Sequence, residues 1–143
     1  VNLRKTAITI VSLVALASVM NYAGMIVVIA SALATVTGQL YPVFAPLIGA
    51  VGTFVTGSDT SSNILFAKLQ ANVAHQLNYS NSNWLVAANT TGATGGKIIS
   101  PQSIAIATAA CDMQGRDGEI LKAAIPYAIL YIAVGGLMVL LAV

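Results

Sequence analysis

Ala88-Asn89-Thr90-Thr91-Gly92-Ala93-Thr94-Gly95-Gly96-Lys97 is a polar, glycine-rich stretch with apolar sequence on both sides. A second such stretch, Thr56-Gly57-Ser58-Asp59-Thr60-Ser61-Ser62-Asn63, lies upstream between two further apolar runs. Lipid tolerates irregular backbone only where protein or a wet cavity covers it. A charged side chain at the bilayer centre costs about 2.5–3.5 kcal/mol on insertion scales. Two polar breaks at membrane depth, one holding Asp59 and the other Lys97, therefore point to a solute pathway. The fold class they imply is all-α: a polytopic membrane protein with a re-entrant helical hairpin and an interrupted transmembrane helix.

Composition supports that reading. Of 143 residues, 57% are hydrophobic and 7% charged, whereas a soluble domain carries about 25% charged residues. So few charges cannot cover a globular surface, and a lipid bilayer is the expected surrounding. The net charge of +2 gives no basic surface for nucleic acid. A single cysteine, Cys111, excludes an intrachain disulfide. With one histidine, His75, no metal cluster, cofactor site or histidine–nucleophile pair can be assembled, so the chain does not read as an enzyme. Thr91–Ile98 imitates a phosphate loop but fails G-x-x-x-x-G-K-[ST], because Thr91 stands at the first glycine and Ile98 at the hydroxyl position. The chain opens on Val1 within an apolar segment and reads as part of a longer protein.

Four regions follow along the chain. Residues 3–37, behind Arg4-Lys5, are long for one span and short for two, since ~20 residues cross the hydrocarbon. Asn21-Tyr22-Ala23-Gly24 interrupts them, so a tilted helix with a local break is expected. Residues 41–77 form two short helices around the tip Thr56–Asn63, which fits a hairpin; Pro42, Pro46, Gly49 and Gly52 allow close packing on its first arm. On the second arm Lys68, Asn72, His75 and Gln76 share one helical face, an exposed or protein-facing polar stripe. Residues 84–111 open at Trp84, are expected to break over Asn89–Ser100, and resume as a helix with Ser100 as N-cap and Pro101 behind it. Residues 120–143 are a plain final span. Arg4, Lys5, Arg116 and Lys122 then share one side, which the positive-inside rule makes cytoplasmic.

The chemistry lies at the tips. Helix N-termini carry free N–H groups and partial positive charge, and interrupted helices of transporters aim them at anionic groups near midplane. Ser58, Thr60, Ser61, Ser62, Asn63, Asn89, Thr90, Thr91 and Ser103 offer hydroxyl and amide donors, with Ser100 beside them. Each alone is as well explained by helix capping and packing; two clusters in one short chain favour a binding role. Lys97 either neutralises a substrate carboxylate as a point charge, pairs with Asp59, or snorkels toward the headgroups. Asp59 is the candidate carrier of a coupling proton, with helix capping as its structural alternative.

The strings Val19-Met20-Asn21-Tyr22-Ala23-Gly24-Met25, Leu40-Tyr41-Pro42-Val43-Phe44-Ala45-Pro46-Leu47-Ile48-Gly49, Phe54-Val55-Thr56-Gly57-Ser58-Asp59-Thr60-Ser61-Ser62-Asn63 and Lys97-Ile98-Ile99-Ser100-Pro101-Gln102-Ser103 resemble the L-lactate permease family. The resemblance covers nearly the whole chain and corresponds to the C-terminal part of a longer permease. It implies a multi-pass protein of the prokaryotic plasma membrane with an ion-transporter-type repeat. The implied function is secondary transport of L-lactate, D-lactate and glycolate by proton symport, with Ser58, Thr60, Ser61, Asn63, Asn89, Thr90, Thr91, Lys97, Ser100 and Ser103 toward substrate and Asp59 toward the proton. The N-terminal part of the permease, holding the other repeat, is the implied partner. One alternative is a sodium-coupled carboxylate or anion transporter of the same architecture, using unwound carbonyls at Gly92–Gly96. The other is a non-transporting scaffold subunit, which needs no pair of polar tips.

Overall fold

The computed structural model describes residues 3–113 and 115–143. The described elements are α1 (Leu3–Tyr22), α2 (Met25–Thr37), α3 (Tyr41–Thr56), α4 (Asp59–Gln76), α5 (Asn83–Ile98), α6 (Pro101–Ala110) and α7 (Asp117–Ala142), with a 3-10 turn, Gly38–Leu40, between α2 and α3. No strand occurs among the described residues. The interruption of the first segment falls at Ala23–Gly24, where Gly24 takes φ 73°. Only a residue without Cβ adopts that left-handed backbone cheaply, so α1 stops there and α2 starts afresh. Two helical stretches, Met25–Thr56 and Asp117–Ala142, are long and apolar enough to cross a membrane.

The centre is the contact of α3 with α5. A Cβ placed on Gly92 would fall on the backbone of Pro46, one on Gly96 on the backbone of Ala50, and one on Gly49 on the backbone of Asn89. The two helices therefore touch main chain to main chain. Pro46 meets Gly92 and Ala50 meets Gly96, so they run parallel. In lipid there is little hydrophobic drive between helices, and such small-residue contact supplies the packing. α4 returns antiparallel to α3, tied by Ser62 Oγ donating to Gly49 O at 2.8 Å. α7 closes the other side, with Ile132 against Gly95 and Gly135 against Thr91. Ile26, Tyr41, Leu69, Val73, Leu85 and Val139 are buried together and bind α2, α3, α4, α5 and α7 into one core. The outside is apolar: Val28, Val36, Val55, Ile129, Leu137 and Leu141 are all exposed, the kind of surface that marks a membrane or protein neighbour.

One expectation is corrected. The stretch Asn89–Ser100 is not unwound; α5 is continuous from Asn83 to Ile98, and only Ile99 and Ser100 separate it from α6. The glycines do not loosen this backbone. They form the surface on which α5 meets α3. The threonines turn inward to their own helix, Thr91 Oγ1 donating to Ala87 O and Thr94 Oγ1 to Thr90 O, each at 3.1 Å. The carbonyls of Gly92–Gly96 thus belong to a helix and offer no unwound cation cage.

Candidate functional site

The hairpin tip is built in three residues. Gly57, at φ 70°, ends α3 and sends its N–H to Thr53 O at 2.7 Å. Ser58 is extended and caps α4, its Oγ accepting from Ser61 N at 3.3 Å. Asp59 follows in the first turn, where the helix end favours negative charge. The start of α6 repeats the device: Ser100 is extended, its Oγ accepts from Ser103 N at 3.3 Å, and Pro101 opens the helix. The two tips are neighbours, since a Cβ on Gly57 would lie 3.2 Å from the Cβ of Gln102. Two polar stretches separated in sequence form one polar end of the structure.

From that end a line of polar side chains, called the groove below, runs along the seam of α4 and α5. Lys97 Nζ lies 3.9 Å from Asp59 Oδ2, with the side chains 49% and 34% exposed. Further along α4, Asn63 Oδ1 accepts from Asn89 Nδ2 at 2.9 Å and from Thr90 Oγ1 at 3.1 Å. Asp59 and Asn63 are one turn apart on α4, and Thr90, Thr94 and Lys97 share a face of α5 by the same spacing. Lys97 is the more open member of the pair, and at 3.9 Å Asp59 does not enclose its ammonium group. Asp59 Oδ1 and Thr53 Oγ1 are enclosed and have no hydrogen-bond partner among the described residues.

The other expected residues fall into two groups. Thr60 is exposed at the tip, and Ser61 is buried with its N–H in the Ser58 cap. Asn89 is fully buried and reaches Asn63 from within the helix bundle. Ser100 and Ser103 bond to each other at 3.0 Å and serve the α6 cap. Thr91 does not line the groove: its methyl lies against Gly135 of α7 and its hydroxyl returns to Ala87 O. Lys68 lines a separate cavity of about 350 Å³ between α1 and α4, with Asn21 and Tyr22. No group of His, Cys, Asp and Glu able to hold a metal occurs among the described residues. Beyond the site, Glu119 bonds Arg116 and raises the pKa of the guanidinium, so its charge is held at the start of α7.

Two residues of the site were not anticipated, Gln70 and Tyr41. Both are fully buried. Tyr41 OH donates to Gln70 Oε1 at 2.7 Å, and Gln70 Nε2 donates to Ala45 O at 3.0 Å and to Asn89 Oδ1 at 3.3 Å. The signal that would have found Gln70 is an amide spaced one turn and three residues beyond Asn63 on the face toward α5.

The family model for L-lactate permease matches residues 1–143. The chain is 45% identical over 141 residues to the glycolate permease GlcA of Escherichia coli (strain K12), covering 99% of this chain and 25% of that protein. It is 43% identical over 139 residues to the L-lactate permease of the same strain, covering 95% and 25%. It is 52% identical over 90 residues to the L-lactate permease of Streptococcus iniae, covering 63% and 19%. The chain thus spans about a quarter of the length of the first two relatives. No solved structure matches it.

Proposed function

The chain belongs to the L-lactate permease family, and on that premise we propose that it forms part of a secondary transporter of L-lactate and related small 2-hydroxy monocarboxylates, coupled to protons. The observation that carries the reading is the Asp59–Lys97 pair across α4 and α5, bordered by Asn63 and Thr90 in an otherwise apolar protein. Relatives bear the names of lactate and glycolate permeases. Those two anions share a carboxylate and an adjacent hydroxyl and differ by a methyl group. A site for both needs a cation, a few hydroxyl and amide partners, and no tight apolar sieve, since one methylene is worth only about 1–3 kcal/mol of discrimination.

In this reading the substrate carboxylate displaces Asp59 from Lys97, and the 2-hydroxyl meets Thr90 and Thr94. Asp59, deprived of its counter-charge, takes up the coupling proton, so anion and proton enter together. Protonation at Asp59 breaks none of the bonds that hold the tip, because Ser58 supplies the cap. The hairpin α3–α4 enters the membrane without crossing it, α5–α6 is an interrupted span, and the rest of the permease supplies the opposite wall. The protein is multi-pass in the prokaryotic plasma membrane.

The test is uptake of labelled lactate into vesicles carrying the full-length permease, with and without an inward proton gradient. The expected result is accumulation above the outside concentration only with the gradient, and competition by glycolate. Lactate flux indifferent to the gradient would remove proton symport. Absence of lactate-specific flux would remove the substrate assignment.

A further inference from the structure

The hydrogen-bond chain behind the groove has a direction, and one backbone atom fixes it. Ala45 O can only accept, so the Gln70 atom 3.0 Å from it must be the NH2 nitrogen. Gln70 Oε1 then faces Tyr41 OH, and the second Nε2 proton points to Asn89. The Asn89 atom that receives it must be oxygen, which turns Asn89 Nδ2 toward Asn63. The Asn63 atom that meets it must be oxygen too, and the Thr90 hydroxyl donates to that same oxygen. Each amide dictates the orientation of the next. At the end of the chain Asn63 Nδ2 is left with no hydrogen-bond partner among the described residues and is not enclosed.

We propose that Tyr41, Gln70 and Asn89 form an orienting relay that makes Asn63, one turn along α4 from Asp59, present its NH2 group, and not its oxygen, to the groove. This deepens the transport reading above and rests on it. Asn63 is then a donor to the substrate carboxylate, and Gln70 is a positioning residue that never touches substrate. The physical sense is simple. A flipped Asn63 would set a carbonyl oxygen against an anion, turning one favourable contact into a repulsive one. In a low-dielectric surrounding such polar networks are effective only when each member is satisfied. Every amide atom of Gln70 and the inward-facing atoms of Asn89 and Asn63 are so satisfied.

The experiment uses the full-length permease in vesicles, with folded protein quantified for each variant. Asn63→Asp is the sharp substitution. Its Oδ1 keeps both bonds it now accepts, from Asn89 and Thr90, and only the outward NH2 becomes a carboxylate oxygen. The apparent KM for lactate should rise at least tenfold, with thermal stability close to that of the parent. Gln70→Met removes the anchor, leaves Asn89 and Asn63 free to flip, and should raise KM severalfold while the maximal rate per folded transporter is kept. In the Asn63→Asp background the same Gln70→Met change should leave KM where it is, because nothing remains to orient. A merely structural Gln70 would instead lower the amount of folded protein and leave KM at the parental value in both backgrounds, overturning the relay. If Lys97→Ala raises KM but neither Asn63→Asp nor Gln70→Met does, the relay is wrong and the groove stands. If none of the three moves KM, the groove itself is not the lactate site.

Discussion

Replacing Gly92 by alanine separates two explanations of the glycine-rich stretch. If the stretch were unwound, a methyl group there would meet little and would stiffen the chain. In the structure it meets Pro46: the added Cβ would fall on the Pro46 carbonyl group, with the Pro46 Cα farther off at 2.6 Å, and ordinary contact begins at 3.4 Å, so α3 and α5 must part by more than the 0.8 Å that the Cα alone demands. A radial gap of ~0.5–1 Å forfeits roughly a quarter to a half of the dispersion attraction of the facing atoms. Overpacking of this kind costs about 1–3 kcal/mol. The gain in helix propensity from Gly to Ala offsets at most about 1 kcal/mol. Because the clash is with main chain, the upper part of that range applies, and Gly92→Ala should be net destabilising by ~2 kcal/mol or more. Gly118, in the first turn of α7, has nothing within 4 Å of an added Cβ and provides the control; Gly118→Ala should be neutral or slightly stabilising. The assay is heat-induced loss of monodisperse permease in detergent, with both variants purified in parallel. Equal midpoints for Gly92→Ala and Gly118→Ala would refute the main-chain contact of α3 with α5.

Further expectations follow from the same geometry. Lys97→Ala should raise the apparent KM for lactate about tenfold or more, a loss of ~1.4 kcal/mol, whereas Lys68→Ala, whose side chain lines the α1–α4 cavity, should stay within about twofold; equal kinetics at equal expression would take Lys97 out of the site. Asp59→Asn should abolish uphill accumulation on a pH gradient yet spare lactate exchange, and an Asn variant that still concentrates lactate would end the proton role. Cysteines at Ser58 and Thr60 should react with membrane-impermeant reagents along an aqueous path that lactate blocks; labelling indifferent to lactate counts against a re-entrant tip. Ser62→Ala removes the 2.8 Å bond to Gly49 O and should cost about 1 kcal/mol of stability with the lactate KM unchanged.

The fold was legible wherever a local signal decided the backbone. Gly57 followed by Ser58 and Asp59 announces a helix end and a helix start, and α3 and α4 meet there. Ser100-Pro101 does the same for α6. The glycine run failed as a signal because glycine has two uses that composition alone does not separate. It frees a backbone, and it lets two backbones touch. The spacing of Gly92 and Gly96, four residues apart and therefore on one face, was the clue to the second use. The residues between them then belong to a helix, and the break shrinks to Ile99 and Ser100.

The site divides along a different line. Asp59 and Lys97 are charges in an apolar chain, and charge at membrane depth is conspicuous in sequence. Their meeting at 3.9 Å depends on α4 and α5 running antiparallel side by side, which no local pattern encodes, so each could be read as pairing with substrate or with the other. Gln70 and Tyr41 are less visible still. A periodic reading of α4 collects its polar residues into the stripe of Lys68, Asn72, His75 and Gln76, and Lys68, His75 and Gln76 are indeed exposed. Gln70 is off that stripe and carries no charge, so it passes as an ordinary helix residue. Yet a fully buried amide with all its bonds made costs more to retain than a leucine, because any lost partner leaves a polar group without water at about 1–3 kcal/mol. The direction of Gln70, fixed by its bonds to Tyr41, Ala45 and Asn89, is passed on to Asn63.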